Sequence, residues 1–400
     1  MINEYEFSRI YDHSEQLKQE AIKYSKKRFL FQELNKQRNV QTGIYGLRGT
    51  GKTTLLLQIA KERPNSIYVN VEELIFRGIS LIEFSEFAAK KGFTNIFFDE
   101  IHYLENWAIQ LKILYDTGLK SIFFSGSSSI LIKENSADLS RRALLFYLPP
   151  LSFKEFLDFN YNQLIEKLEI EQVLDYQERR SIITKTIKFA TYFEEYMQKG
   201  ALPIYAENKE DIFGLYQRII DKIIRSDLIS LNKIDNSYVE TAYKIINAIA
   251  TSNPSEISHN NLAKAVQRKT YFVNQIINNL REIGFLNEVL AYKKGISLIR
   301  KEGKYLVSPP FRLALAKNLG FSYEQVIGGI REDIFISNTF MFKPKYIKTD
   351  RERKTPDFMI KEKVFELGSH KYKNDSDFLV KDDFIIDERV IPLPLFCMLY

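Results

Sequence analysis

From Val40 to Pro150 the chain alternates short apolar runs with amphipathic stretches, the written form of a parallel sheet covered by helices. The runs predict strands at Gly43 to Gly46, Ser66 to Val71, Thr94 to Phe98 and Ser121 to Ser125. Each meets a polar or glycine-rich turn at its C-terminal end, where open α/β sheets place their ligands. Before this block, residues 1–38 are charged and helical in period. After Pro149-Pro150 the pattern turns to long helices with little strand signal as far as about Leu231. Between Ser237 and Leu315 three helix-like stretches precede short β-like pieces. The third carries Val273, Ile276, Ile277, Leu280 and Ile283 on one face, and three helices followed by a hairpin is the order of a winged helix. From Gly320 a helix leads into strands around Thr355 to Glu366 and Val390 to Pro392. The fold class is therefore α/β: N-terminal helices (1–38), a sheet core (39–155), a helical lid (156–235), a winged-helix domain (236–318) and a small α/β domain (319–400).

Composition sets bounds. With 400 residues, 45% of them hydrophobic and 27% charged, the chain reads as a soluble protein of several domains. Its single cysteine, Cys397, excludes an intrachain disulfide and a cysteine metal cluster. Glu4 and Glu6 stand where a signal peptide carries positive charge, and no apolar run nears the ~18 residues that span a bilayer. A cytoplasmic protein without a membrane partner is expected. The formal charge of +6 is modest, but residues 240 to 304 hold ten Lys or Arg against five Glu. This excess coincides with the winged-helix pattern and makes DNA a candidate partner. Arg268, Lys269, Arg281, Lys293, Lys294, Arg300 and Lys301 are placed for phosphate contact, and Asn274, Asn278 and Asn279 for base edges.

The strongest chemical signal is Gly46-Leu47-Arg48-Gly49-Thr50-Gly51-Lys52-Thr53, with a strand before it and a helix, Thr54 to Lys61, after it. Its glycines let the backbone turn successive N–H groups toward β- and γ-phosphates, and the helix start adds its positive dipole end. Lys52 would neutralise phosphate oxygens. Thr53 would give its hydroxyl to Mg²⁺, with Thr54 beside it as a weaker candidate. The second signal is the apolar run Asn95-Ile-Phe-Phe leading into Asp99-Glu100. Asp99 can hold Mg²⁺ through water, and Glu100 can orient and deprotonate an attacking water. ATP and Mg²⁺ are the cofactors this pair of motifs calls for, with ATP hydrolysis the reaction. Ser125 or Ser127, ending the next apolar run, can sense the γ-phosphate or simply cap a turn. Arg142 is a candidate arginine finger reaching the nucleotide across a subunit boundary, which would make the chain a homo-oligomer or the docking site of a protein partner.

The run Phe97-Phe-Asp-Glu-Ile-His-Tyr-Leu-Glu-Asn-Trp107, the Ser-Gly-Ser-Ser turn at 125 to 128, and Arg142 followed by Pro150-Leu-Ser-Phe-Lys-Glu-Phe156 resemble the prokaryotic AAA-type ATPases of archaea and bacteria. So do Gly200-Ala-Leu-Pro203, Phe365-Glu-Leu-Gly-Ser-His-Lys371 and the ending Ile391-Pro-Leu-Pro-Leu-Phe396. The resemblance implies an AAA+ related P-loop core, a helical lid, a winged helix and a terminal domain akin to restriction-endonuclease-like nucleases. It also implies the finger role of Arg142. His102 and Trp107 fit the same pattern and read as packing behind Asp99-Glu100. In the terminal domain Asp357 and Glu366, with Glu332 as a third acid, stand for the metal-binding acids of such nucleases. The expected lysine two residues after Glu366 is Gly368, so a non-cutting version of that fold is expected.

Overall fold

Five apolar runs, not four, build the sheet of the first unit. In the computed structural model, which describes residues 2–126, 139, 141–230, 236–254, 258–292, 303–347, 356–368 and 376–400, the strands are β1 (Gln41–Tyr45), β2 (Ser66–Asn70), β3 (Asn95–Asp99), β4 (Ile122–Gly126) and β5 (Ala143–Tyr147). They lie in the order β2-β3-β4-β1-β5, and every pairing is parallel. The alternation of side chains along each strand divides the core in two. On one face Ile44, Tyr68, Phe97 and Phe123 pack with Leu55, Leu56 and Ile59 of helix α3 (Lys52–Glu62). On the other, Val69, Ile96, Phe98, Ile122 and Phe124 pack with Leu74, Phe84, Trp107 and Leu111. These last come from α4 (Val71–Arg77), α5 (Leu81–Lys90) and α6 (Trp107–Asp116). Strand β5 lies at the sheet edge, where Leu144 and Leu145 stay partly exposed. The N-terminal segment forms α1 (Glu4–Glu20), which opens with a capping box between Asn3 and Glu6, and α2 (Phe31–Lys36).

The chain divides into two compact units, residues 1–149 with 282–284 and residues 150–281 with 285–400. In the second unit the described residues from 150 to 230 contain helices and no strand. Helices Asn236–Thr251, His259–Ala265 and Thr270–Glu282 then precede the antiparallel pair β6 (Leu286–Ala291) and β7 (Lys304–Val307). Strand β6 also pairs in parallel with β8 (Lys345–Tyr346). The hairpin thereby joins β9 (Phe358–Ile360), β10 (Lys363–Leu367), β11 (Phe378–Lys381) and β12 (Val390–Pro392) in one seven-stranded sheet. A buried ion pair strengthens this continuity across residue 318. Arg312 Nε meets Asp333 Oδ2 at 2.5 Å, while the Arg312 fork also donates to the carbonyls of Ile249 and Ala250. The C-terminal segment returns to Phe153, whose N–H donates to the Cys397 carbonyl at 2.9 Å. No helix among the described residues is long and apolar enough to cross a membrane.

Candidate functional site

Where β1 ends, the chain must turn sharply beneath a neighbouring backbone. A side chain on Gly46 would bring its Cβ within 2.3 Å of the Leu148 carbonyl oxygen, so only glycine fits. Gly49 and Gly51 hold φ of 89° and 91°, a region that side chains disfavour. Thr50 closes the turn, with N–H and hydroxyl both donating to the Leu47 carbonyl, at 3.3 and 2.8 Å. Helix α3 starts at Lys52, immediately after the loop. The buried Lys52 ammonium donates to the carbonyls of Gly46 and Leu47 at 2.8 and 3.2 Å, lying along the loop it would share with a phosphate. Arg48 reaches the Tyr103 hydroxyl at 3.2 Å, and Thr54 is half-buried on the first turn of α3.

The two motifs meet. Thr53, exposed at the head of α3, donates its hydroxyl to Asp99 Oδ2 at 2.6 Å. Asp99 is 1% exposed, a burial that a carboxylate tolerates only when its oxygens are well supplied with donors. Tyr68 on β2 gives its hydroxyl to the same Oδ2 at 2.7 Å. Ser125 on β4 gives its own to Oδ1, and the Glu100 N–H approaches Oδ1 and the Ser125 hydroxyl at 3.2 Å each. Burial, and then the charge of Asp99, push the Tyr68 phenol far above its ordinary range, so it stays a donor. Ser125, for which phosphate sensing and turn capping were both open, is thus engaged with the carboxylate. Ser127 lies outside the described residues. Glu100 adopts a left-handed backbone, φ 54°, which turns the chain out of β3. Its Oε2 stands 3.3 Å from Nδ1 of the buried His102, so His102 touches the acid it was expected merely to pack behind. Trp107 is buried against Phe124, as a packing residue should be.

Two contributors escaped the sequence reading, Tyr68 and Arg28. Arg28, 4% exposed, lies between α1 and α2 and holds the loop from behind: Nη1 donates to the Thr50 carbonyl and Nη2 to that of Pro149, the latter at 2.8 Å. Loop N–H groups that face a phosphate leave their carbonyls facing away, and a buried guanidinium answers that need.

Other candidates are placed elsewhere. Ala143 pairs with Gln41, the first residue of β1, so Arg142 stands at the end of the sheet opposite the glycine loop. There it forks onto Asp116, Nε to Oδ1 at 3.0 Å and Nη2 to Oδ2 at 3.3 Å. Within one chain it is not brought to Lys52. Of the asparagines on helix Thr270–Glu282, Asn279 is not a base reader. It is buried and donates to the Tyr238 hydroxyl, because its position falls on the apolar face of that helix. Asn274 is half-buried and Asn278 exposed. Arg281 is paired with Glu288 at 2.9 Å, whereas Arg268 and Lys269 are exposed and line a cavity of about 770 Å³ with Lys264. Lys293, Lys294, Arg300 and Lys301 lie outside the described residues. Of the terminal acids, Glu332 forms an ion pair with Lys304, Asp357 Oδ2 accepts the Leu367 N–H at 2.8 Å, and Glu366 is buried. The described residues contain no group of three His, Cys, Asp or Glu able to hold a metal.

Known proteins share parts of this chain. Residues 38–157 match the AAA_14 family, described as an AAA domain. The uncharacterized protein MJ1637 of Methanocaldococcus jannaschii is 29% identical over 76% of this chain and 68% of its own length. The uncharacterized protein MJ1544 of the same organism is 30% identical over 79% of this chain and 71% of its own. Among solved structures, AMPPCP-bound DnaA from Aquifex aeolicus is 19% identical, with 63% of this chain and 86% of that one covered and a TM-score of 0.26. Likewise C. elegans PCH-2 is 12% identical, with 70% of each chain covered and a TM-score of 0.24. Neither structural likeness bears on how the site is read. The chain belongs to the same family as MJ1544, and within it residues 38–157 are an AAA domain of the P-loop ATPase class.

Proposed function

We propose that this chain binds MgATP at the loop from Gly46 to Thr53 and hydrolyses it to ADP and phosphate, its nucleotide state being coupled to the second unit. One observation carries the reading: the Thr53 hydroxyl and the Asp99 carboxylate, from the start of α3 and the end of β3, lie 2.6 Å apart beside Lys52 and Glu100. The donors suit the ion. Mg²⁺ prefers hard oxygens and takes one or two protein oxygen ligands together with water and phosphate, and a hydroxyl beside a buried carboxylate offers that set. Bound there, it would draw charge from the β- and γ-phosphate oxygens. Lys52 exchanges its two loop carbonyls for phosphate oxygens. The N–H groups of the loop and of the α3 start bind the same phosphates without reorganising. Glu100 accepts a proton from the attacking water, with His102 at 3.3 Å limiting the directions its carboxylate can take.

Arg142 serves a neighbouring copy on this reading, since its place opposite the loop leaves only action in trans. The lone buried cysteine suits a reducing cytoplasm. Lys52→Ala is expected to weaken ATP binding itself, whereas Glu100→Gln should retain ATP and turn it over about 100-fold more slowly or worse. Unchanged turnover in both variants would remove the assignment.

A second reading draws on the three helices and hairpin between Asn236 and Val307, which support a winged helix, and on the exposed Lys264, Arg268, Lys269 and Tyr271 around its second turn. On this reading the second unit binds DNA, with ATP as a regulatory ligand. Its affinity must fall steeply with salt, because each neutralised phosphate releases counterions. Absence of binding to duplex or single strand at low salt rejects it and leaves the element a protein-docking piece.

A further inference from the structure

We propose that Tyr68 is a positioning residue for Asp99, fixing the carboxylate in the orientation through which the site takes Mg²⁺. This rests on the reading of the site as a MgATP site. Tyr68 pairs in register with Phe97 on the neighbouring strand, so its ring lies on the α3 face of the sheet, the face that also carries Asp99 two residues further along β3. The neighbouring large side chains on that face, Phe97 and Phe123, are wholly apolar and buried. A phenol among them brings a hydroxyl that must be hydrogen-bonded or cost stability. It has one good acceptor, Asp99 Oδ2 at 2.7 Å.

The division of labour around the carboxylate gives that bond its meaning. Oδ1 is held by Ser125 and approached by the Glu100 N–H. Oδ2 has two hydroxyl donors, Thr53 and Tyr68. Thr53 is the residue whose oxygen is offered to the metal, so its hydrogen bond to Oδ2 must adjust when the ligand enters. Tyr68, buried in the middle of β2, is not among the groups this reading offers to the metal or phosphates, so its bond persists. It keeps the plane of the carboxylate set while Thr53 moves, and it keeps one Oδ2 lone pair occupied so that metal-bound water meets the remaining one. A purely structural tyrosine would contribute stability alone; a positioning tyrosine also sets how much Mg²⁺ the site requires.

The test compares the full-length wild type with Tyr68→Phe, reading the affinity for a fluorescent non-hydrolysable ATP analogue in EDTA and across a Mg²⁺ titration. Affinity in EDTA is expected to agree within twofold, whereas half-saturating Mg²⁺ rises about tenfold, the scale of one hydrogen bond to a charged group. Superimposable Mg²⁺ titrations would overturn the role of Tyr68, as would an equal loss of affinity with and without the metal. A wild type whose nucleotide affinity ignores Mg²⁺ would instead overturn the underlying reading of the site. Should Tyr68→Phe not fold, Tyr68→His, which keeps a donor, is compared with Tyr68→Leu, which keeps bulk without one. Half-saturating Mg²⁺ at least about fivefold lower in the His variant than in the Leu variant supports the positioning role, and equal values in the two reject it.

Discussion

Replacing Arg28 tests whether the glycine loop is held from behind. Arg28→Met keeps an unbranched stem of similar length and removes the guanidinium that donates to the carbonyls of Thr50 and Pro149. A hydrogen bond to a charged group is worth about 1.5–3 kcal/mol, and the two carbonyls are left facing an apolar side chain, so a loss of about 3–5 kcal/mol in stability is expected. Arg28→Lys keeps the charge but cannot fork to two acceptors; about half that loss is expected. A second effect separates the loop clamp from general packing. With the Thr50 carbonyl released, nucleotide must order the loop on binding, at about 1–2 kcal/mol for each residue newly fixed. Affinity for ATP in EDTA should then fall about tenfold in the Met variant. Denaturant unfolding gives the first number, and nucleotide titration well below the unfolding transition gives the second. A Met variant with stability within about 0.5 kcal/mol of wild type, the usual spread of surface substitutions, and with unchanged affinity would refute the clamp.

Two further outcomes follow from the geometry. Burial outweighs the attraction of Lys304 and pushes the Glu332 carboxyl up to about 7 from its ordinary 4.5; the folded chain thus keeps a proton that the unfolded chain has released, and the resulting stability is fully present below about pH 4.5 and lost as pH rises through about 7. Wild type should therefore lose about 2 kcal/mol more than Glu332→Gln between pH 5 and pH 8 in matched unfolding experiments, and parallel losses would show that the carboxyl titrates normally. For Arg142→Ala, whose ion pair with Asp116 is partly exposed and adds little to stability, the melting temperature should hold while ATP turnover falls on the order of 10³-fold. Turnover per wild-type chain should also rise with protein concentration, and a flat dependence rejects action in trans.

How far the sequence is legible depends on the range of the interactions. The loop from Gly46 to Thr53 and the pair Asp99-Glu100 were readable because each is a local device, a strand running into a turn whose residue types follow from backbone geometry and charge. The interior strands β3 and β4 carry the apolar runs Ile96-Phe-Phe98 and Ile122-Phe-Phe124, as strands buried on both faces must. Strand β5 went unread because, unlike the other edge strand β2 with its buried Ile67, Tyr68 and Val69, it leaves Leu144 and Leu145 partly exposed, and no glycine or proline sets it off from Arg141-Arg142. Tyr68 and Arg28 were invisible for a different reason. Their partners Asp99, Thr50 and Pro149 are brought near only by the sheet, and a tyrosine in an apolar run or an arginine between helices signals nothing alone. Asn279 shows the converse error, since a polar letter on the third helix was read as surface although the helical period places it on the buried face with Ile276 and Leu280. The hairpin and the terminal strands were foreseen as separate pieces; the two-residue strand β8, too short to leave a pattern, joins them into one sheet.

The most direct test of the central claim is the structure of this chain with a non-hydrolysable ATP analogue and Mg²⁺. The account predicts the ion on Thr53 Oγ1 at about 2.1 Å, Asp99 reaching it through water, and Lys52 turned from the Gly46 and Leu47 carbonyls onto the phosphates. A nucleotide bound elsewhere, or an ion held by neither Thr53 nor Asp99, would contradict it.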